Sequence, residues 1–571
     1  MKRIEGSEAE NLMHGSGTNV LLHELIEEVA RRKPNKTAMI YLGHRLSYQQ
    51  FRDKFHRFAS ALVHLGVEKD DTVGIYLPNT PQSLIAFHGI SKSGEVVLLL
   101  SAMYTAEELT FVLKENETKT VVCSDVNIGN ILRIREEVGL KRIIVTRLDD
   151  ELPFMKKLIG RGLDRIPLGH CPKDPMVHSY RRLMGVRPPD RPQPSAGRDE
   201  KILFILYTGG TTGTPKGVPH THDETVLAFE SLNKFYEPYL KEGDEVWCGY
   251  QPFYHMAGCM FFNNPLLRGE TLIIFPSPNM DAILTEVKRR KITCIAGVPT
   301  FYNAVLNNER LDQYLPGLKS LKYLSTGADA LPEDVFERWK KTVGSELLQT
   351  WGSSETFIAS HNRNGEASLS LGSPLPGFEV AVLDVEENRI LEPGEAGELA
   401  VKSPTTLKAY IKKPQETKES LVEIDGSIWY RTGDIGKKEV GGGKTFYYFL
   451  DRKKEIIKYK GYNIGASEVE RVLYGHPAVK EVAVIGVPDK DVGEIVKAVV
   501  VLHENAKNVT FHDLLGLCRQ KLSPYKIPKH IEFRDALPKS SHTGKILKRE
   551  LREEEVLKRE HRSETFRDSR R

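Results

Sequence analysis

The chain is 571 residues long and carries a net charge of +4. That length exceeds one ordinary hydrophobic core, so two or more domains are expected. The small charge, with basic and acidic residues interleaved, argues against a nucleic-acid partner.

Apolar residues make up 40% and charged residues 28% of the chain, the balance of a soluble globular protein. No run of eighteen apolar residues offers a membrane-spanning helix, which leaves peripheral membrane contact and oligomeric state open.

Residues 1–18 are polar, with Glu5, Glu8 and Glu10, and lack the apolar core of a secretory signal. A first α/β series follows. Thr72–Leu77, Val96–Leu100 and Thr118–Cys123 read as strands, and Gln82–Ser93 and Ala106–Lys114 as helices. A second series has strands at Ile202–Tyr207, Thr271–Phe275, Ile292–Ala296 and Leu321–Ser325. Its helices fall near Met280–Arg290, Thr300–Asn307 and Glu333–Thr342, the last with Pro332 at a first-turn position. Such alternation predicts two helix-flanked parallel sheets, separated by a polar stretch whose end, Arg187–Pro194, reads as a loop.

After Gly377 short strands with glycine turns predict a β-rich subdomain over about 377–453. A smaller α+β unit follows, in which Ala466–Tyr474 sets Val469, Val472 and Leu473 on one helical face, stopped by Gly475 and Pro477. The expected organisation is a large domain over 19–453 and a small C-terminal one over 454–571, ending in a charged, solvated tail from Leu547. The six cysteines are scattered, with no C-x-x-C pair, and read as free thiols of a reducing compartment, the cytoplasm.

The most informative segment is Tyr207-Thr208-Gly209-Gly210-Thr211-Thr212-Gly213-Thr214-Pro215-Lys216-Gly217, directly after an apolar strand. Glycines admit anionic oxygens to backbone N–H groups, hydroxyls add donors and Lys216 adds charge, so the segment reads as a polyphosphate cradle. It is not the P-loop pattern, which needs lysine immediately after the last glycine and then Ser or Thr. The segment resembles the signature of the acyl-adenylate-forming superfamily, which includes acyl-CoA synthetases, peptide-synthetase adenylation domains and firefly luciferase. Gly209 stands where the usual form has Ser, a version shared by fatty acyl-CoA ligases.

Further segments follow in that family's order. Gln349-Thr350-Trp351-Gly352-Ser353-Ser354-Glu355 resembles the segment whose aromatic ring stacks on adenine and whose glutamate holds Mg2+; by resemblance these are Trp351 and Glu355, with Ser354 in place of Thr. A hard cation on phosphates needs such an oxygen ligand. Tyr430-Arg431-Thr432-Gly433-Asp434 is similar to the ribose-binding segment, where a carboxylate accepts two hydroxyls at once. In Asp451–Tyr462 the resemblance implies that Arg452 contacts the nucleotide and Lys454 is the hinge. It also implies that the loop from Lys458 to Gly461 lines the thiol's path.

Pro538-Lys539-Ser540-Ser541-His542-Thr543-Gly544-Lys545 is similar to the segment of the catalytic lysine, here Lys545. Gly327-Ala328-Asp329 resembles the adenine-binding strand end. His255 sits where the family places a residue between ATP and the carboxylate, a structural histidine being the other reading. Ala409 departs from the family's usual glycine, at a position that is mainly structural.

The resemblance thus implies a large domain of two helix-flanked sheets plus a β-rich subdomain, with a small mobile C-terminal lid. The activity implied is ATP-, Mg2+- and coenzyme A-dependent activation of a carboxylic acid. Gly352, where acetate-specific relatives carry a second Trp, leaves room for a longer or aromatic acid, with Met256, Cys259, Met260, Phe261 and Phe262 as candidate wall residues. A medium- or long-chain fatty acid is favoured. An aryl acid, a separate carrier protein as acceptor, and a non-catalytic nucleotide or lipid sensor remain alternatives.

Overall fold

A computed structural model describes residues 20–157, 167–169, 171–185, 201–208, 215–363, 366–460, 462–489, 492–504, 506, 509–539 and 546–568. The expected loop at 187–194 lies outside them.

Two large sheets carry the first two-thirds of the chain. One has seven strands in the order Val177–Ser179, Arg142–Thr146, Thr120–Ser124, Thr72–Tyr76, Val96–Leu99, Ile202–Thr208 and Lys216–Thr221. Its neighbours are parallel except the last pair. The second has nine strands, with Tyr323–Thr326, Cys294–Gly297, Val246–Gly249 and Thr271–Ile274 at its parallel centre.

The division of strands between the sheets differs from the expectation. Ile202–Thr208 was expected to open the second series, yet it pairs in parallel with Val96–Leu99 through Val97 and Phe204 and so completes the first sheet. Conversely Thr37–Tyr41 joins the second sheet, with Met39 opposite Leu272. A strand buried on both faces needs partners on both edges, and sequence proximity does not choose them. Pro332 is also not in the first turn but caps it, with φ −64° and ψ 136° ahead of Glu333–Val343.

The exchange of strands locks the halves together. One core contains Val97, Leu99 and Phe204 from the first sheet and Leu272, Ile274 and Ala296 from the second. Helix Pro81–Ser93 is buried from Pro81 to Ser91, which its nearly unbroken apolar and small sequence permits. Phe51, Phe55, Phe58 and Phe87 are fully buried there, each contributing about 1.5–3 kcal/mol of transfer free energy.

The β-rich region forms as expected: Glu379–Leu383, Ala396–Lys402, Ser427–Gly441 and Leu421–Ile424 lie in order, with Lys444–Arg452 paired to Ser427–Gly441. A single 3-10 turn, Lys453–Glu455, separates that sheet from a last one built of Ile456–Tyr459, Tyr462–Gly465, Val479–Asp489, Gly493–Leu502 and His530–Phe533. This last unit has its own core of Ile457, Ile464, Val469, Val482 and Leu514.

Helix Ala466–Tyr474 has the predicted bounds; Val469 and Leu473 are buried and Val472 is half-buried. Of the two readings of the charged tail, solvated helix or frayed end, the helix holds over Lys548–Asp568, but its start is not solvated: Leu551 is buried and Lys548 pairs with two carboxylates. All six cysteines are free; five are buried, and Cys171 is half-buried.

Candidate active site

Thr208 and Gly327 lie at the C-terminal ends of parallel strands, where open α/β sheets present ligand crevices, whereas Asp434 and Arg452 lie on an antiparallel pair of the β-rich sheet. Ile202–Thr208 turns back into Lys216–Thr221 as a hairpin with Thr208 opposite Lys216. Gly209, Gly210, Thr211, Thr212 and Gly213, which connect the two, lie outside the described residues.

Lys216 is half-buried, and its Nζ stands 4.7 Å from the centre of the Tyr410 ring. The Tyr410 hydroxyl donates to Glu355 Oε1 across 2.9 Å, with the Tyr430 hydroxyl 3.3 Å behind it. Burial raises both tyrosine hydroxyls above their usual range, and the charge of Glu355 adds to it. Glu355 itself is buried, and its carbonyl accepts from Leu407 N–H at 2.9 Å.

Tyr410 and Tyr430 join this cluster without a signal in the sequence, since neither carries a type of side chain that announces phosphate or metal chemistry.

A second cluster surrounds Asp434. Trp351 Nε1–H donates to Asp434 Oδ2 at 2.7 Å, and the Arg452 guanidinium lies 2.6 Å from Oδ1. Strand register makes the second contact, because Asp434 and Arg452 face each other across the antiparallel pair. Trp351 and Asp434 are both buried, whereas the Arg452 side chain is 48% exposed.

Gly327 follows strand Tyr323–Thr326 so closely against the next strand that a Cβ there would lie 2.5 Å from Thr350 Oγ1. Ala328 takes a positive φ of 66°, and Asp329 is exposed beyond it, with Oδ1 accepting from Ala330 N–H. Gly352 is exposed at its Cα, but a Cβ would lie 1.8 Å from the Phe357 carbonyl oxygen. The glycine thus has a backbone reason, a close approach where the pairing of Leu348–Ser353 with Phe357–His361 shifts register. Ser354 is half-buried beside it.

His255 caps helix Met256–Leu267 from outside, its carbonyl accepting from Cys259 N–H at 2.8 Å and its ring 4.9 Å from Tyr254. Met256, Cys259, Met260, Phe261 and Phe262 all belong to the main core. Phe261 stacks over Trp247 with ring centres 6.2 Å apart.

Lys454 sits in the 3-10 turn, its ammonium lowered below the usual lysine range by partial burial and then by the charge of Lys216. Lys458 is exposed, and its N–H donates to Glu494 at 2.7 Å. Gly461 and Lys545 lie outside the described residues.

Among the described residues no group of three or more His, Cys, Asp or Glu side chains is arranged to hold a metal ion. A lone buried carboxylate such as Glu355 fits a cation whose remaining ligands are phosphate and water oxygens, the pattern of Mg2+ on a nucleotide. No described helix is long and apolar enough to cross a membrane.

Residues 26–411 match the model of the AMP-binding enzyme family, and 468–545 match the AMP-binding enzyme C-terminal domain. The long-chain-fatty-acid–CoA ligase of Bacillus subtilis (strain 168) is 34% identical over 94% of this chain and 95% of that protein. The ligase of the same name from Salmonella typhimurium is 32% identical over 93% of this chain and 94% of its own. ATP-bound MatB from Rhodopseudomonas palustris superposes with a TM-score of 0.80 at 27% identity, covering 94% of this chain and 99% of that one. A benzoate CoA ligase from Burkholderia xenovorans LB400 gives 0.77 at 26% identity, covering 93% and 100%.

Proposed function

This chain belongs to the AMP-binding enzyme family, and from that premise we propose that it is a fatty acid–CoA ligase acting through Lys216, Glu355, Asp434 and Lys545. It is an AMP-forming acid–thiol ligase whose substrates are ATP, a carboxylic acid and coenzyme A. The observation that carries the residue assignment is the convergence of Lys216 and Glu355 on Tyr410. A cation from the phosphate hairpin and a carboxylate suited to a metal meet at one ring.

In the first step a carboxylate oxygen attacks the α-phosphorus of ATP, and pyrophosphate leaves with the bonding electron pair. Lys216 faces the phosphates, Asp434 accepts the ribose hydroxyls and Trp351 lies against the adenine. Lys545 offsets the repulsion between the two anions and the charge that develops, an electrostatic role typically worth ~3–4 kcal/mol of barrier. Mg2+, when held by Glu355, supplies charge neutralisation on the phosphates.

In the second step the thiol sulfur of coenzyme A attacks the acyl carbon, AMP leaves and the thiol proton is lost. We assign the hinge between a large domain, 19–453, and a lid, 454–571, to Lys454. Rotation there exchanges Lys545 for the loop of Lys458 and Gly461, so one site serves two chemistries. The single turn between two sheets at Lys453–Glu455 supports that assignment.

A medium- or long-chain fatty acid is the proposed substrate, on the activity for which the Bacillus and Salmonella relatives are named. The benzoate-activating neighbour keeps an aryl acid as the second reading. The free cysteines support a cytoplasmic location.

The test is pyrophosphate and AMP release from MgATP with acids from acetate through palmitate to benzoate, with and without coenzyme A. Acid-dependent pyrophosphate release is expected, with thioester only when coenzyme A is present. Transfer to a carrier protein but not to free coenzyme A overturns the ligase reading, and no release with any acid favours a sensor. Lys545→Ala is expected to lower pyrophosphate release by about 100- to 1000-fold while sparing ATP binding; unchanged release removes Lys545 from its role.

A further inference from the structure

We propose that Trp351 is a positioning residue for ribose recognition: its indole N–H fixes the Asp434 carboxylate, and through it the discrimination between ribose and deoxyribose nucleotides. The inference rests on the reading above that Asp434 accepts the ribose hydroxyls, and adds a role for Trp351 distinct from stacking.

A carboxylate has about four lone-pair directions and no donor. At Asp434 Oδ2 accepts from Trp351 Nε1–H at 2.7 Å, whereas the Arg452 guanidinium lies 2.6 Å from Oδ1 as an ion pair without hydrogen-bond geometry. Trp351 is a donor-only group, so its contact holds Oδ2 only while the carboxylate keeps this orientation.

The two clamps are unequal. Arg452 is half-exposed and lies on the strand that runs directly into the 3-10 turn at Lys453–Glu455, whereas Trp351 is buried on a strand of the large sheet. Trp351 is therefore the fixed contact, and Arg452 the one closest to the proposed hinge. Backbone geometry reinforces the difference. Asp434 N–H donates to Thr432 Oγ1 at 3.1 Å, and Thr432 Oγ1–H to the Leu399 carbonyl at 2.7 Å, so the main chain at Asp434 is anchored independently of Arg452.

An aromatic ring that only stacked on adenine would need no donor at this position. Trp351→Phe keeps a ring face and removes the N–H, which separates the two roles.

The experiment measures binding by calorimetry and turnover for ATP, 2′-deoxyATP and 3′-deoxyATP with the full chain, Trp351→Phe and Asp434→Asn. With Trp351→Phe, affinity and KM for ATP are expected to weaken about tenfold, the loss of one charge-assisted hydrogen bond. kcat is expected to stay within about twofold, and the preference for ATP over both deoxynucleotides to fall toward one.

That preference is a ratio within one preparation, so partial unfolding does not imitate it, and calorimetry reports it even if turnover is lost. Equal weakening for all three nucleotides, with the preference intact, overturns the proposal and leaves Trp351 as a stacking platform. If Asp434→Asn keeps the preference, the ribose reading of Asp434 has failed instead, whatever Trp351→Phe does.

Discussion

Tyr410 stands between Glu355 and Lys216, donating its hydroxyl to the Glu355 carboxylate at 2.9 Å while the Lys216 ammonium lies 4.7 Å from its ring centre. One side chain thus touches both the carboxylate proposed to hold the metal and the cation proposed to face the phosphates. Tyr410→Phe keeps the ring and removes a donor to a buried carboxylate, a loss of about 1–3 kcal/mol for that group. The expected outcome is a roughly tenfold higher Mg2+ requirement for pyrophosphate release and a melting temperature lowered by a few degrees. Tyr410→Leu, which also removes a cation–π contact of about 0.5–2 kcal/mol, should raise KM for ATP further. Titration of Mg2+ at fixed ATP decides it: an unaltered midpoint in Tyr410→Phe contradicts the coupling.

Lys548 opens the last helix inside a half-buried triad, 2.6 Å from Glu455 and 2.8 Å from Glu470. Burial alone lowers a lysine, but the two carboxylates outweigh it and hold this ammonium above its usual range. Burial pushes Glu470 up to about 7 against the pull of Lys548. Removing the cation strands two carboxylates, so Lys548→Met is expected to cost the C-terminal unit about 3–5 kcal/mol. Scanning calorimetry should show that unit melting earlier, and Glu470→Gln in the same chain should recover part of the loss. A wild-type thermogram for Lys548→Met would show that the triad contributes nothing.

Local chemistry was legible where it is written in local residues. Met280–Arg290 and Ala466–Tyr474 were read to the residue because periodicity and caps lie within each helix. The reading failed where the partner is distant: nothing in Ile202–Thr208 says that it pairs with Val96–Leu99, and nothing in Thr37–Tyr41 names Thr271–Ile274. The site divides the same way. Glu355, Asp434 and Arg452 stood in motifs, but the bond from Trp351 to Asp434 and the position of Tyr410 depend on how the β-rich sheet meets the large ones. Gly352 was read as space for substrate, and the Phe357 backbone in its Cβ direction is a second reason for glycine that the sequence did not show.

That contact gives a prediction for any attempt to shorten the acyl pocket at Gly352. An added Cβ meets the Phe357 carbonyl oxygen at 1.8 Å and its carbonyl carbon at 2.8 Å, so the strand pair must shift. Gly352→Ala is expected to destabilise the large unit by about 1–3 kcal/mol, the usual range for overpacking, before any effect on acid choice. Thermal denaturation followed by circular dichroism checks this. An unchanged melting temperature together with altered chain-length preference would mean that the strands give way freely and Gly352 acts only as pocket floor.

Acid should unfold the large unit through its buried histidines. Burial lowers His88 to about 4 and His220, His222 and His361 to about 3. In the unfolded chain each titrates near its ordinary value of 6.5, so below that pH the unfolded state takes up protons that the folded state refuses. The stability these neutral rings permit is complete above pH 6.5 and falls as pH drops toward 4 and 3. The four together remove about 4–6 kcal/mol by pH 5.5, comparable to the whole stability of many domains. His220 isolates one share of this, wedged between Phe204 and Phe357 at ring distances of 4.6 and 4.7 Å, with Nε2 lacking a hydrogen-bond partner among the described residues. His220→Phe removes one titrating group and should move the acid midpoint to lower pH while leaving stability at pH 8 within about 1–3 kcal/mol. Denaturant unfolding across pH 8 to 4 measures both; if the slope of stability against pH is the same with and without His220, the ring is not part of the acid response.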